Sequence, residues 1–357
     1  MTTYLSTFVS GLGGPVRSAL EERLPGVRVE LDLDGLLTYE SSRDAAAAVR
    51  SLPFFNNSFL VLKTFPGLGA ERGDEVLNEM LAGALRDGDL AGRLPRHLKG
   101  TFRLVTSRSN VLTAVDRELL EKVEGRIAAS GRLRPHRGRP DHELWLSYRS
   151  EGHGFLLLRL TRHTAYEKVL DKGSLRPELA WMLCWLSEPR EGELMLDPFC
   201  GSGAIPLMRA TQFPRGLVLA SDLDAALVEK LKAKVKEGDL KRRLVVRQGD
   251  ARQLSRYEDG SIHKIVTDPP WGSFQDLADA PEVFYREVLA ELGRVLAPGG
   301  ILVILLARAD FLPPLLETLP ALELVESWPI LVSGKKAVVY KLRKIPGKSR
   351  RAGELTP

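Results

Sequence analysis

Residues 194–204 read Leu194-Met195-Leu196-Asp197-Pro198-Phe199-Cys200-Gly201-Ser202-Gly203-Ala204. An apolar run ends on an acidic residue, two glycines follow, and a helical pattern opens. This predicts a strand, a turn that needs glycine's conformational freedom, and a helix N-terminus that favours a negative group. In an open α/β sheet, ligands bind at this juncture. Working outward from strand 193–197 and helix 203–210, strands at 217–222, 243–248, 262–267 and 300–307 alternate with helices at 224–236 and 281–296. Leu175, Leu179, Met182, Leu183 and Leu186 mark an amphipathic helix ahead of them. The pattern predicts a doubly wound α/β sheet. A short helix near 309–318 precedes strands near 321–328 and 335–343. Their tight link, Ser333-Gly334, predicts an antiparallel pair at the sheet edge, giving a seven-stranded mixed sheet.

The same loop limits the ligand. No Gly-Lys-Ser/Thr follows, which excludes a Walker loop, and Pro206 stands where a dinucleotide fingerprint needs a third small residue. Asp222 ends the next strand, a position suited to two ribose hydroxyls. Asp250, in Gly249-Asp250-Ala251 after the third strand, is placed to accept from an adenine amine. An adenosine without pyrophosphate satisfies these features, and S-adenosylmethionine is such a molecule.

The fourth strand runs into Asp268-Pro269-Pro270-Trp271-Gly272. Two prolines fix an extended backbone with no N–H to donate, and leave carbonyls to accept. A carboxylate beside such a carbonyl makes two acceptors for the two hydrogens of an exocyclic amine. Trp271 offers a face on which a base can stack. Cys200, inside the glycine loop, and Cys184, among apolar helix neighbours, read as buried thiols rather than nucleophiles.

Asp-Pro-Phe-x-Gly-Ser-Gly followed by Asp-Pro-Pro-Trp resembles the Rossmann-like amino-group methyltransferases that act on nucleic-acid bases. Within them, the chain is similar to the THUMP-containing tRNA guanine-N2 methyltransferases. The resemblance implies catalytic roles for Asp268, Pro269, Pro270 and Trp271. It implies that S-adenosylmethionine is held by Ser174 and Arg176 of Ser174-Leu175-Arg176-Pro177, and by Asp197, Phe199, Gly201, Gly203, Asp222, Asp250 and Asp268, with S-adenosylhomocysteine as product. The first half resembles a ferredoxin-like module followed by a THUMP domain, on Thr7-Phe8-Val9-Ser10-Gly11-Leu12, Phe102-Arg103-Leu104-Val105 and Arg139-Pro140-Asp141 ahead of Leu144-Trp145-Leu146-Ser147. Family members commonly read Pro-Gly-Leu-Glu where this chain has Ser-Gly-Leu-Gly. The expected domains are ferredoxin-like 1–60, THUMP 61–165, methyltransferase 166–345 and a basic, disordered tail 346–357. The implied reaction is methylation of guanine N2 in tRNA, with guanosine 6 preferred to guanosine 10. Alternatives are an amino methyltransferase on ribosomal RNA or on adenine or cytosine in DNA, and an inactive RNA-binding paralogue.

In that first half, residues 3–9, 27–39, 58–65, 101–106, 143–149 and 153–161 read as strands. Residues 16–24, 44–51, 74–86 and 115–129 read as helices, and 131–141 as a loop. Residues 91–113 hold Arg93, Arg96, Lys99, Arg103 and Arg108 with no acidic residue, and the loop adds Arg132, Arg134, Arg137 and Arg139. These are the candidates for holding RNA phosphates.

The 357 residues carry 51 Lys+Arg against 46 Asp+Glu, so the net charge of +5 alone says little about nucleic acid. An apolar content of 44% supports two or three packed domains and excludes wholesale disorder. Two cysteines cannot form a disulfide framework and fit a reducing compartment. With no run of about 20 apolar residues and no secretory pattern at the N-terminus, a cytoplasmic monomer without a membrane span is expected. The six histidines lack ligand spacing, so no metal is expected.

Overall fold

Alternating apolar residues build two separate sheets, one of nine strands and one of seven. The computed structural model describes residues 1–42, 45–161, 175–270, 281–307, 312–332 and 334–346. The chain forms two units. One comprises Met1–Thr7 and Arg23–Thr164, and the other Phe8–Glu22 and Ala165–Pro357.

The first stretch runs β1 (Thr2–Thr7), α1 (Gly13–Arg23), β2 (Arg28–Leu33), β3 (Leu36–Ser41), α2 (Ala46–Ser51), β4 (Asn57–Phe65), α3 (Glu75–Leu85), β5 (Gly100–Arg108), β6 (Val111–Leu112), α4 (Arg117–Ala128), β7 (Leu133–Pro135), β8 (His142–Tyr148) and β9 (Gly154–Arg159). Its sheet is ordered β2-β3-β1-β4-β9-β8-β5-β6, with β7 added on β5. The expected strand 27–39 is a hairpin, because Gly35 takes φ +79° in the Asp34-Gly35 turn and folds the segment back. The expected loop 131–141 contains β7, which pairs in parallel with β5. A division at 60/61 falls inside β4, which pairs with β1 on one side and β9 on the other. Residues 1–60 and 61–165 therefore share one sheet. Val76, Leu77, Met80 and Leu81 of α3 and Val123 and Ile127 of α4 bury themselves with Phe102, Leu144 and Leu146 of the strands.

The second stretch runs α5 (Pro177–Leu186), β10 (Leu194–Asp197), α6 (Ala204–Gln212), β11 (Leu217–Asp222), α7 (Ala225–Glu237), β12 (Leu244–Gln248), β13 (Ile262–Thr267), α8 (Pro281–Val295), β14 (Leu296–Leu306), α9 (Leu312–Glu317), β15 (Leu322–Val332) and β16 (Lys335–Lys344). The order is β12-β11-β10-β13-β14-β16-β15. The first five strands are parallel, and β16 is antiparallel to both β14 and β15. This is the predicted seven-stranded mixed sheet with its antiparallel edge. Strand order reverses between β10 and β13, so a crevice opens beyond their carboxyl ends. Val288, Leu289, Leu292 and Val295 of α8 seal one face against Leu196, Ile265, Leu302 and Ile304. Residues 347–357 of the expected tail lie outside the described residues, as do Ser174 and Trp271.

Residues 8–22 group with the second unit, which nothing in their local pattern announces. Gly11 has φ +91°, and a Cβ there would lie 1.9 Å from the Pro329 carbonyl oxygen of β15. The Trp185 indole N–H of α5 donates to Glu22 Oε2 at 2.9 Å. Gly11→Ala sets a side chain against backbone in a left-handed conformation, so a loss of about 3 kcal/mol is expected. Urea unfolding should show it in the transition of the second unit. An unshifted midpoint would mean residues 8–22 do not pack as described.

Candidate active site

Parallel neighbours end at the same side of a sheet, so residues closing adjacent strands come together. Asp250 follows β12, Asp222 ends β11, Asp197 ends β10 and Asp268 follows β13. Four carboxylates thus follow adjacent strand ends across the reversal point. Helices α6 and α7 follow β10 and β11 across short turns, and their N-terminal partial positive charges offset part of this acidity.

Asp197 is fully buried. Its Oδ1 accepts from Thr267 Oγ1 at 2.8 Å and from the Phe199 N–H at 3.2 Å, while Oδ2 has no hydrogen-bond partner. Burial pushes the carboxyl up to about 8. The two hydrogen bonds oppose the shift, and neighbouring Asp268 and Asp222 add to it. At neutral pH the group holds a proton until a cation arrives.

Asp222 clamps the glycine loop, with Oδ2 accepting from the Gly201 N–H at 2.8 Å and Oδ1 from the Asp224 N–H at 3.0 Å. Gly201 has φ +49° with open space where a Cβ would stand, and Gly203 has φ +95° at the N-cap of α6. Both conformations suit glycine, and open space at Gly201 lets a ligand approach the backbone. Cys200 is buried and its N–H donates to the Ser221 carbonyl at 2.9 Å. Burial and the nearby Asp197 and Asp222 push its thiol well up, which leaves it no nucleophile.

Asp250 is gripped by Arg252. Oδ2 accepts from Nη2 at 2.8 Å and Oδ1 from the Arg252 backbone N–H at 2.9 Å, which holds the carboxyl below its ordinary value. The guanidinium also lies 6.0 Å from the Phe284 ring, which packs 6.0 Å from Phe199. An adenine amine would share an acceptor that already serves an arginine. Arg176 caps α5, exposed, 3.8 Å from Glu178, and contacts none of the four carboxylates.

The prolines differ from expectation. Pro270's carbonyl is not free, because the Tyr285 hydroxyl donates to it at 2.6 Å. No donor among the described residues meets the Pro269 carbonyl. Sequence reasoning also missed Thr267, Leu223, Arg252 and Tyr285. Leu223 had a local signal, as an apolar residue following a strand-ending acid, and it is 66% exposed beside Asp222. Tyr285 had none.

Five of the nine basic candidates are spoken for. Arg93 pairs with Asp87 at 2.9 Å, Arg103 with Glu143, and Arg108 with Asp74 at 2.5 Å. Arg132 donates to the carbonyls of Pro95 and Ala91. Arg137 lies 3.6 Å from Glu121. Arg96, Lys99, Arg134 and Arg139 are exposed with no acidic partner among the described residues. Among those residues no three His, Cys, Asp or Glu side chains could hold a metal ion, and no helix is long and apolar enough to cross a membrane.

The sheet order, the glycine loop and the carboxylate row define a Rossmann-like α/β unit with a ligand site at its reversal point. Residues 164–327 match the family model described as "UPF0020: RMKL-like, methyltransferase domain". It is 35% identical over 131 residues to a tRNA (guanine(10)-N2)-dimethyltransferase of Methanothermobacter thermautotrophicus, covering 36% of this chain and 38% of that protein. It is 33% identical over 165 residues to a tRNA (guanine(6)-N2)-methyltransferase of Thermus thermophilus, covering 44% and 48%. The chain thus matches less than half the length of these relatives. The crystal structure of TrmN from Thermus thermophilus has the same fold, with a TM-score of 0.77 and 24% identity over 97% of this chain and 100% of that one.

Asp197 also links stability to pH. Its carboxyl stands at about 8 folded against 3.8 for a free aspartate. Between those values the folded state keeps a proton that the unfolded chain releases, so stability falls as pH rises and the loss is complete above about 8. The urea midpoint of the ligand-free wild type should decline from pH 5 to 8 more steeply than that of Asp197→Asn. Parallel profiles would contradict it.

Proposed function

We propose that this chain methylates the exocyclic N2 of guanine in tRNA, using S-adenosylmethionine, in the cytoplasm. The observation that carries the reading is the Asp268 carboxylate next to a Pro269 carbonyl that meets no donor among the described residues, at the end of a row of four carboxylates. The similarity to tRNA guanine-N2 methyltransferases supports the substrate.

The site fits the cofactor. Asp197 offers an orphaned, buried acceptor to an ammonium, Asp222 stands where ribose hydroxyls would lie, and Leu223 offers an apolar surface to adenine. When bound, S-adenosylmethionine supplies a methyl group on a cationic sulfur, and the S–CH3 electron pair stays on sulfur as the N–CH3 bond forms from the amine lone pair. Asp268 and the Pro269 carbonyl would accept the two N–H groups, turning the lone pair toward the methyl. Such in-line placement supplies much of the acceleration. Asp268 stabilises the positive charge on N2 and takes the proton that N2 sheds.

The first unit serves as the RNA-holding module, in keeping with its THUMP resemblance. Arg96, Lys99, Arg134 and Arg139 are the side chains best able to meet phosphates, because they are exposed and uncommitted. We take guanosine 6 as the target in preference to guanosine 10.

Nucleoside mass spectrometry of tRNA from a deletion strain should show loss of N2-methylguanosine, and fragment mapping should name its position. Asp268→Ala should bind S-adenosylmethionine normally and lose about 10²–10³ in turnover. Full turnover by that variant would sink the assignment. The Arg134→Ala, Arg139→Ala pair should weaken tRNA binding and lower the slope of log K against log salt by up to about two. An unchanged slope would place the RNA elsewhere.

A further inference from the structure

Adenine is set apart from other purines by its exocyclic amine, a donor, so a site that prefers adenine needs an acceptor held in place. Asp250 is built that way. Strand β12 ends at Gln248, whose Nε2 donates to the Leu223 carbonyl at 3.0 Å, and the Gly249 N–H donates to the Asp222 carbonyl at 3.0 Å. Asp250 therefore stands just beyond two bonds that fix the exposed Leu223, the apolar surface offered to adenine.

Its carboxylate is held by one residue. Oδ1 accepts from the Arg252 backbone N–H at 2.9 Å and from Nε at 3.2 Å. Oδ2 accepts from Nη2 at 2.8 Å and shares Nε at 3.2 Å. A carboxylate has about four lone-pair sites, and three N–H groups of Arg252 fill all but one. Those bonds also hold the carboxyl below its ordinary value, so it stays ionised and can only accept. The side chain keeps 23% of its surface exposed, so a ligand can reach it.

The arginine is itself anchored. Its guanidinium lies 6.0 Å from the Phe284 ring of α8, and Phe284 packs 6.0 Å from Phe199 of the glycine loop. Nη1 lies 3.8 Å from Glu287 of the same helix. A planar fork braced in this way fixes the carboxylate plane and with it the direction of the remaining lone pair.

We propose that Arg252 is a positioning residue that sets the base preference of the cofactor site, by presenting one acceptor of Asp250 to the exocyclic amine of adenine. The assignment rests on the S-adenosylmethionine reading above. Arg252 acts through Asp250 and touches neither the base nor the reacting atoms. A purine with hydrogen in place of the amine brings no donor to this acceptor.

The test measures binding to the full chain by calorimetry. The ligands are S-adenosylhomocysteine and its deamino analogue, in which hydrogen replaces the adenine amine and every ring nitrogen stays. Wild type should bind S-adenosylhomocysteine at least about tenfold more tightly, the scale of a hydrogen bond to a charged group. Arg252→Met keeps a long stem and removes the fork. It should hold the two ligands within about threefold of each other, by weakening S-adenosylhomocysteine and leaving the analogue near wild type. Arg252→Lys keeps the charge without the fork and should follow the methionine variant. At saturating S-adenosylmethionine the kcat of Arg252→Met on tRNA should stay within about twofold of wild type while the cofactor KM rises. On an Asp250→Ala background the methionine should alter the preference no further. A methionine or lysine variant with the wild-type preference overturns the proposal. So does a methionine variant that weakens both ligands alike, which would make Arg252 a scaffold residue. A wild-type chain that binds both ligands equally overturns it and leaves the cofactor reading standing. A wild-type chain that binds neither fails that parent reading itself.

Discussion

Asp197 is a fully buried carboxyl with one satisfied oxygen and one orphan, set between two further carboxylates at adjoining strand ends. Carboxylates gathered at the edge of a low-dielectric core repel one another and lose hydration. The apo protein resolves this by keeping a proton on Asp197. A cationic ligand resolves it better, because it replaces that proton with an ion pair. The arrangement is costly when empty, and that cost favours occupancy by a cation. The bond from Thr267 to Asp197 spans β13 and β10, the two strands at the reversal point, and so ties their carboxyl ends together.

The surrounding structure keeps this row in register. Asp222 uses both oxygens on backbone N–H groups, Gly201 on one side and Asp224 on the other, so the first two βα turns are tied through one side chain. The Gly249 N–H donates to the Asp222 carbonyl at 3.0 Å, which ties in the third. Each link joins neighbouring strand ends and none reaches the far edge of the sheet. The antiparallel pair β15–β16 can therefore tolerate the bulge between Leu324 and Glu326 without disturbing the site.

The seven-stranded sheet was legible because its signals are local. Each strand is a short apolar run, each βα turn carries its glycine or acid, and chain order maps directly onto the carboxylate row. The first unit was less legible because its pairings are distant. Nothing near Phe102 announces a parallel partner at His142, or that β4 joins segments read as separate modules. Gly11 has the same difficulty. Its positive φ and its contact with Pro329 connect residues more than 300 positions apart, and no window of sequence reveals that. Tyr285 was invisible for a third reason: its helical phase marks it as core, and only the polar tip of its buried ring reaches the Pro270 carbonyl.

Charge gives the sharpest case of position outranking composition. The run 91–113 holds five cations and no acid along the chain, yet Asp74, Asp87 and Glu143 neutralise three of them in space. An arginine already paired must break that pair before it meets a phosphate, and most of the gain is then spent on the exchange. Exposed, unpaired cations release only counterions. On this ground the phosphate-binding potential of the first unit concentrates in Arg96, Lys99, Arg134 and Arg139. Pairing of Gly100 with Leu133 and of Thr101 with Arg134 brings the segment after Lys99 beside the loop that bears Arg134 and Arg139. Two stretches of sequence that looked independently basic thus reduce to one small patch, built where β7 adds to β5.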